Sequence, residues 1–277
     1  MRVLQFYNER KLCVGILEEQ NVLPLKFTGD MIDFISNQPE MMGFEDPIPL
    51  NKIDFMPPVT RPSKIICVGL NYLDHIKEGK AEVPETPVLF SKFTTSLTGH
   101  KKPVEWNTNL TEKVDFEAEL AVVIGKECFN RTEQNVTDYI FGYTCANDVS
   151  ARNLQFGDGQ WMRGKSLDTF CPLGPWIATK DEVPDPNSLR IRCALNGVVM
   201  QDSNTDMMLF RIPALLSFIS KSFKLLPGDV ILTGTPPGVG AFREPSVYMQ
   251  DGDSVSVEIE KIGKLVNPCK TFTKVPG

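Results

Sequence analysis

Histidine is scarce in this chain of 277 residues, which has only His75 and His100. A histidine-based zinc site or a serine–histidine–aspartate triad therefore has little to build on, and no Gly-x-Ser-x-Gly elbow is present. The seven cysteines form an odd set with no Cys-x-x-Cys pair. That excludes a disulfide framework and a zinc ribbon, and reads as reduced, mostly buried thiols. No basic stripe or lysine run occurs, so nucleic acid is not an expected partner. The longest apolar runs, such as residues 65–70, are far too short to span a membrane. The opening residues show neither the basic-then-apolar order of a secretory signal nor the Arg- and Ser-rich, acid-poor character of a transit peptide. An intracellular, cytoplasmic protein is expected.

What is present is ordinary for a globular protein: 42% hydrophobic residues, 23% charged, and 29 Lys and Arg against 35 Asp and Glu for a net charge of −6. At this length one large domain, or a large and a small one, can bury a sizeable core. Short β-like runs alternate with polar turns over the first 56 residues, and a proline-punctuated strip, Met56-Pro-Pro-Val-Thr-Arg-Pro62, follows. This predicts a small N-terminal domain over 1–58 and a larger domain over 59–277. Strand-like segments cover 64–69, 87–91, 115–124, 171–178, 189–194, 229–232 and 254–260, while helical patterns fall at 30–37, 131–141, 148–156 and 212–222. The spacing is too irregular for a regular βα barrel, so a β-rich α+β fold is expected.

The sharpest chemical signal is Val114-Asp-Phe-Glu-Ala-Glu-Leu-Ala-Val-Val-Ile-Gly125. As a strand, its even positions Phe116 to Ile124 form an apolar face, while the odd face begins with Asp115, Glu117 and Glu119. Same-face neighbours sit roughly 6.5–7 Å apart, so each carboxylate would raise the pKa of the others unless compensated. A divalent cation removes the repulsion, and all-oxygen ligands favour Mg²⁺, Mn²⁺ or Ca²⁺ over zinc. A half-exposed strand with a solvated acidic edge is the plainer alternative, and the pattern does not choose among the three acids.

His75 and Glu78 share a helix face at i, i+3 spacing, so the carboxylate could orient the imidazole as a general base. An incidental surface ion pair is the alternative. The loop-like 79–87 that follows could let this helix move as a lid. His100, after Gly99 and before two lysines, suits a surface turn. In Cys145–Gln155, Asp148 can cap a helix, with Arg152 and Gln155 at i+4 and i+7 on one side of it. Leu226–Gly240 ends an apolar strand in a Gly- and Pro-rich loop that presents Thr235 without the Lys and Ser/Thr of a Walker loop.

Six segments in order resemble the fumarylacetoacetate hydrolase superfamily: Gly69–Glu78, Phe90-Ser-Lys92, Asp115–Leu120, Asn147–Arg152, Arg163–Asp168 and Leu232–Gly240. The likeness extends over about residues 60–275, and Asp168–Pro175 with Ser203-Asn-Thr is similar to the animal branch linked to oxaloacetate tautomerisation. The resemblance implies a mixed β-roll catalytic domain, a small N-terminal domain and a homodimer. It implies Glu117, Glu119 and Asp148 as ligands of Mg²⁺ or Mn²⁺, with Ca²⁺ admissible in vitro, and leaves Asp115 behind them. Lys165 and the pair His75 and Glu78 take catalytic positions; Lys92, Arg152, Gln155 and Thr235 take positions that bind substrate oxygens in relatives. One departure is Leu167, where many members carry Phe. The implied activity is keto–enol tautomerisation of oxaloacetate through an enolate, with acylpyruvate hydrolysis or oxaloacetate decarboxylation as alternatives. A non-enzymatic, metal-stabilised binding protein is a third reading. Relatives in animals are often mitochondrial.

Overall fold

In this computed structural model, residues 1–37 and 43–273 are described. They build a twelve-stranded mixed sheet and a five-stranded sheet, with few helices. The large sheet runs, edge to edge, through Ile48–Pro49, Asn21–Pro24, Lys11–Glu18, Arg2–Asn8, Cys171–Thr179, Ile140–Asn147, Ala118–Ile124, Val230–Leu232, Ile65–Gly69 and Val88–Lys92. The short strands Asp54–Phe55 and Leu97–Thr98 pair beside this path. The second sheet is Val198–Asn204, Arg190–Leu195, Ser254–Ile259, Gly263–Phe272 and Val104–Asn107 in that order. The β-rich α+β class expected from the sequence is what the chain adopts.

The central strand Ala118–Ile124 explains the arrangement. Its even residues Leu120, Val122 and Ile124 enter the main core, where Ile191, Cys193, Val255 and Val257 of the second sheet also lie. Its odd residues Ala121 and Val123 enter another cluster with Val230, Leu232, Cys171 and the helix residues Met31 and Ile35. Both faces are therefore covered, and the apolar-on-both-sides sequence is what such a strand requires. Only at its N-terminal end does the odd face change from alanine and valine to a carboxylate, Glu119.

Three local expectations are corrected. The 131–141 helix is a turn with a short 3₁₀ segment, Val136–Tyr139, leading into the strand Ile140–Asn147. Asn135 Oδ1 accepts the Thr132 N–H at 3.2 Å and closes the turn, and the apolar residues after it are needed between two strands. The 148–156 helix begins only at Arg152, because Ser150–Ala151 pairs with Val114–Asp115 and Asp148 N–H bonds the Glu117 carbonyl at 2.9 Å. Asp148 is thus no helix cap. His100 lies in the expected turn, closed by Lys102 N–H to the Gly99 carbonyl at 3.2 Å, but is buried and not at the surface: its Nδ1 accepts the Val266 N–H at 3.0 Å and Phe55 packs edge-on at 4.7 Å. The helix Ile212–Ser222 matches its expected bounds, with Leu215, Leu216 and Ile219 on the buried side. All seven cysteines are buried and unpaired, as expected.

Candidate active site

The expected strand over 115–124 is interrupted at Phe116–Glu117, between Val114–Asp115 and Ala118–Ile124. The interruption separates the three acids. Asp115 turns to the loop after Leu232, accepting the Gly240 N–H at 2.7 Å and the Ala241 N–H at 2.9 Å. Glu117 and Glu119 instead converge with Asp148, one oxygen from each lying within 4.8 Å of the others. The loop supports Glu119 through the Gly234 N–H at 2.7 Å. Gly234 needs its left-handed φ of +97° to aim that N–H, and a Cβ there would sit 2.8 Å from the Asn71 Cβ.

Three cations balance the acids. Lys165 Nζ donates to Glu117 Oε2 and Asp148 Oδ2, both at 2.7 Å, and lies 5.4 Å from the centre of the Phe90 ring. Lys92 Nζ bonds Asp148 Oδ1 from the other side. Arg152 Nε donates to Asp115 Oδ2 at 2.8 Å, while Nη1 reaches Glu117 Oε1 at 2.7 Å and donates to Gln155 Oε1 at 2.9 Å. Its Nη2 lies 2.7 Å from Asp115 Oδ2 without an aligned hydrogen bond.

The electrostatics divide the two glutamates. Burial alone would raise Glu117, but Lys165 and Arg152 outweigh it and hold the carboxyl down at about 2. Glu119 is pushed well up, first by burial and then by Asp148 and Glu117. It has no cation bonded to it among the described residues. A carboxylate so placed is unfavourable until further positive charge arrives, so the donor set fits a divalent cation. Lys165 is held charged: burial would lower its pKa, but Asp148 and Glu117 raise it above the usual value.

His75 sits on the short helix Leu73–Glu78. Its Nδ1 is 3.1 Å from Glu78 Oε2, and Glu78 Oε1 accepts the Gly238 N–H at 2.9 Å. The Phe242 ring lies over the imidazole at 5.6 Å. His75, Glu117, Glu119, Arg152, Gln155, Lys165 and Thr235 all line one small cavity of about 110 Å³. Phe90, Phe156, Trp161 and Phe242 complete its wall. Gly69 makes room for Trp161, since a Cβ would meet that ring at 2.5 Å. Asp148, Lys92 and Glu78 stand directly behind the lining and act on it through the bonds above. A larger cleft of about 800 Å³, bordered by Phe141 and Lys180, holds none of the candidate residues.

Thr235 differs from expectation in detail. Its hydroxyl donates to the Ala118 carbonyl at 2.9 Å and accepts from Gln201 Nε2 at 2.9 Å, so the O–H proton is committed inward. Sequence reasoning missed Gln201, Asn147 and the aromatic wall. Asn147 Oδ1 takes the Glu117 N–H at 2.9 Å where the strand breaks. A buried side-chain amide serving a remote strand break leaves no mark in local spacing.

A buried acidic triad beside a carboxylate-held imidazole, grouped around one small cavity, is a candidate active site whose acids could hold a metal ion. Residues 64–270 match the family model for the fumarylacetoacetate (FAA) hydrolase C-terminal region, and the chain belongs to that family. It is 48% identical over 221 residues, 79% of this chain and 70% of the other, to a Rattus norvegicus protein named oxaloacetate tautomerase Fahd2a, mitochondrial. Among solved structures, a fumarylacetoacetate hydrolase from psychrophilic Exiguobacterium antarcticum superposes with a TM-score of 0.90 at 36% identity, covering 98% of this chain and 100% of that one. A 5-carboxymethyl-2-hydroxymuconate delta-isomerase from Mycobacterium smegmatis gives 0.83 at 36% identity, with the same coverage. The family thus includes proteins named as isomerases and as hydrolases. The rat protein's name carries a mitochondrial location. No helix among the described residues is long and apolar enough to cross a membrane.

Proposed function

We propose that this chain is an oxaloacetate keto–enol tautomerase whose Glu117, Glu119 and Asp148 hold Mg²⁺ or Mn²⁺. The observation that carries the reading is the fixed imidazole beside the triad: Glu78 engages Nδ1, so Nε2 is the ring nitrogen left for a substrate proton. Held by Glu117, Glu119 and Asp148, a divalent cation would supply Lewis acidity toward the oxygens of a 2-oxo acid. His75 takes the proton from carbon 3 and returns it to oxygen, or the reverse. Glu78, steadied by Gly238, keeps the imidazole in one orientation. Lys165 uses two of its three donors on Glu117 and Asp148 and turns the third toward negative charge developing on the 2-oxo oxygen. Arg152, with Nη2 not aligned on any acceptor among the described residues, serves the distal carboxylate. Phe90, Phe156, Trp161 and Phe242 restrict water around the reacting atoms.

A second reading, acylpyruvate hydrolysis, is favoured by the same fixed His75–Glu78 pair, which could activate water for attack on a 4-oxo carbonyl. The deciding assay gives the purified protein oxaloacetate or acetylpyruvate with Mg²⁺ or Mn²⁺ and follows enol absorbance, pyruvate and acetate against a metal-only blank. Faster enol–keto interconversion without pyruvate release is the expected result. Acetate release from acetylpyruvate would make the chain a hydrolase, and pyruvate from oxaloacetate a decarboxylase. No rate above the blank would remove the enzyme reading. Glu119→Ala should abolish tight Mn²⁺ binding, whereas His75→Ala should bind Mn²⁺ normally and lose about 10²-fold or more in rate.

A further inference from the structure

Gln201 lies on Val198–Asn204 of the second sheet, 83 residues from the carboxylate strand, and is 1% exposed. Every polar atom of its side chain is engaged. Oε1 accepts the Ala118 N–H at 2.8 Å; Nε2 donates to Thr235 Oγ1 at 2.9 Å and to the Pro236 carbonyl at 2.7 Å. Only this orientation of the amide satisfies both the Ala118 N–H and the Pro236 carbonyl. Thr235 Oγ1 in turn donates to the Ala118 carbonyl at 2.9 Å, which closes a ring: Ala118 N–H to Gln201, Gln201 to Thr235, Thr235 to Ala118 C=O.

Ala118 is the residue between Glu117 and Glu119, at the point where the strand resumes after its interruption. A break in a buried strand leaves backbone groups without ladder partners, and each would cost about 1–3 kcal/mol if unsatisfied. The ring supplies partners to both polar groups of Ala118 from outside the strand. The same amide fastens the Thr235–Pro236 loop, whose preceding Gly234 N–H holds Glu119. One side chain therefore fixes the peptide between two acids of the triad and the loop that orients one of them.

We propose that Gln201 is a positioning residue for the cation site: through its ring with Thr235 and Ala118 it sets the spacing of Glu117 and Glu119. The inference rests on the reading of the triad as a cation site. It also gives the Thr235 hydroxyl a task independent of substrate, because its proton and one lone pair belong to the ring.

Mn²⁺ titration of the metal-free full chain in the absence of substrate tests this. Gln201→Met keeps the volume and removes all three hydrogen bonds; Thr235→Val opens the ring from the other side. Each should weaken Mn²⁺ binding about tenfold or more, the size typical of groups that orient ligands. The double variant should be no weaker than the worse single one, since either change opens the same ring. Asn267→Leu removes another buried amide of the second sheet, one that donates to the Gly99 and Lys102 carbonyls, and should lower the melting temperature while leaving Mn²⁺ affinity unchanged.

Affinity within twofold of wild type in Gln201→Met or Thr235→Val overturns the inference. So does multiplication of their effects in the double variant, or equal weakening in Asn267→Leu. If Gln201→Met does not fold, Thr235→Val decides by the same threshold. Wild-type protein that fails to bind Mn²⁺, or binds it equally well as Glu119→Ala, sinks the cation-site reading itself and not merely the role of Gln201.

Discussion

His100 is half of the chain's histidine content, yet it stands outside the candidate site, and its environment makes it a stability determinant with a definite sign. Burial first, and Lys101 second, lower its pKa from 6.5 to about 4. Between these values the unfolded chain binds a proton that the folded chain refuses, so stability is full above pH 6.5 and is lost as pH falls toward 4. From pH 7 to pH 5 this amounts to about 2 kcal/mol. Glu117, held low, loses its contribution in a more acid window, and Glu119, held high, acts with the opposite sign; both cancel when wild type is compared with a variant. Urea unfolding of wild type and His100→Gln at both pH values should therefore show a pH-dependent loss about 2 kcal/mol smaller in the variant. Equal losses would mean that His100 is protonated in the fold. At this scale the sequence exposed the charged and titratable members of the site, because Asp, Glu, His, Lys and Arg stand out against an apolar strand or a glycine turn. It did not choose between Asp115 and its neighbours by pattern alone. That choice depends on the strand break at Phe116–Glu117, which sends Asp115 to Gly240 and Ala241 while Glu117 and Glu119 stay together.

The elements differ in how they are held, and that difference sets which of them can move. Ala118–Ile124 is buried along its whole length, with strands hydrogen-bonded on both sides. Leu120→Ala should accordingly cost about 2–5 kcal/mol, read by denaturant unfolding, with a much smaller loss showing that the core closes over the gap. The helix Leu73–Glu78 has only six residues and is tied to the opposite loop through the Glu78–Gly238 hydrogen bond and the His75–Phe242 ring contact. Exchange of the amides in residues 71–85 should slow when Mn²⁺ and oxalate fill the cavity, and an unchanged exchange rate would exclude a lid. Strands with strong apolar character, such as Ile65–Gly69 and Val230–Leu232, were legible from local pattern, as was the helix Ile212–Ser222 with its 3.6-residue period. Gly263–Phe272 was not, because lysine, asparagine and proline interrupt it and its partners lie on both sides in the second sheet. The apolar stretch before Asn147 was split between a supposed helix and unassigned chain; only its place between two other strands makes it extended.

Whole-molecule order was the least legible level, because sheet neighbours distant in sequence carry no local signature. The proline strip after residue 56 suggests a boundary, and Leu4, Phe6, Val22 and Phe55 do share a small core of their own. Yet Arg2–Asn8 continues the large sheet by pairing with Cys171–Thr179, Arg2 opposite Ala178 and Val3 opposite Ile177. Met31 and Ile35 also lie in the cluster that covers Ala121 and Val123, the odd face of the strand that begins with Glu119. If residues 1–58 are a separable domain, a chain beginning at residue 59 should fold and bind Mn²⁺ unaided. The shared cluster argues for the opposite outcome, since removing the segment strips one face of the strand that carries Glu119 and exposes apolar surface to water. We expect the intact protein to unfold in one thermal transition and the chain from residue 59 to show no cooperative melt, with Mn²⁺ affinity lost alongside it. Two transitions in the intact protein, with the truncated chain reproducing the hotter one and retaining Mn²⁺, would instead assign residues 1–58 an independent fold and leave the catalytic architecture complete without them.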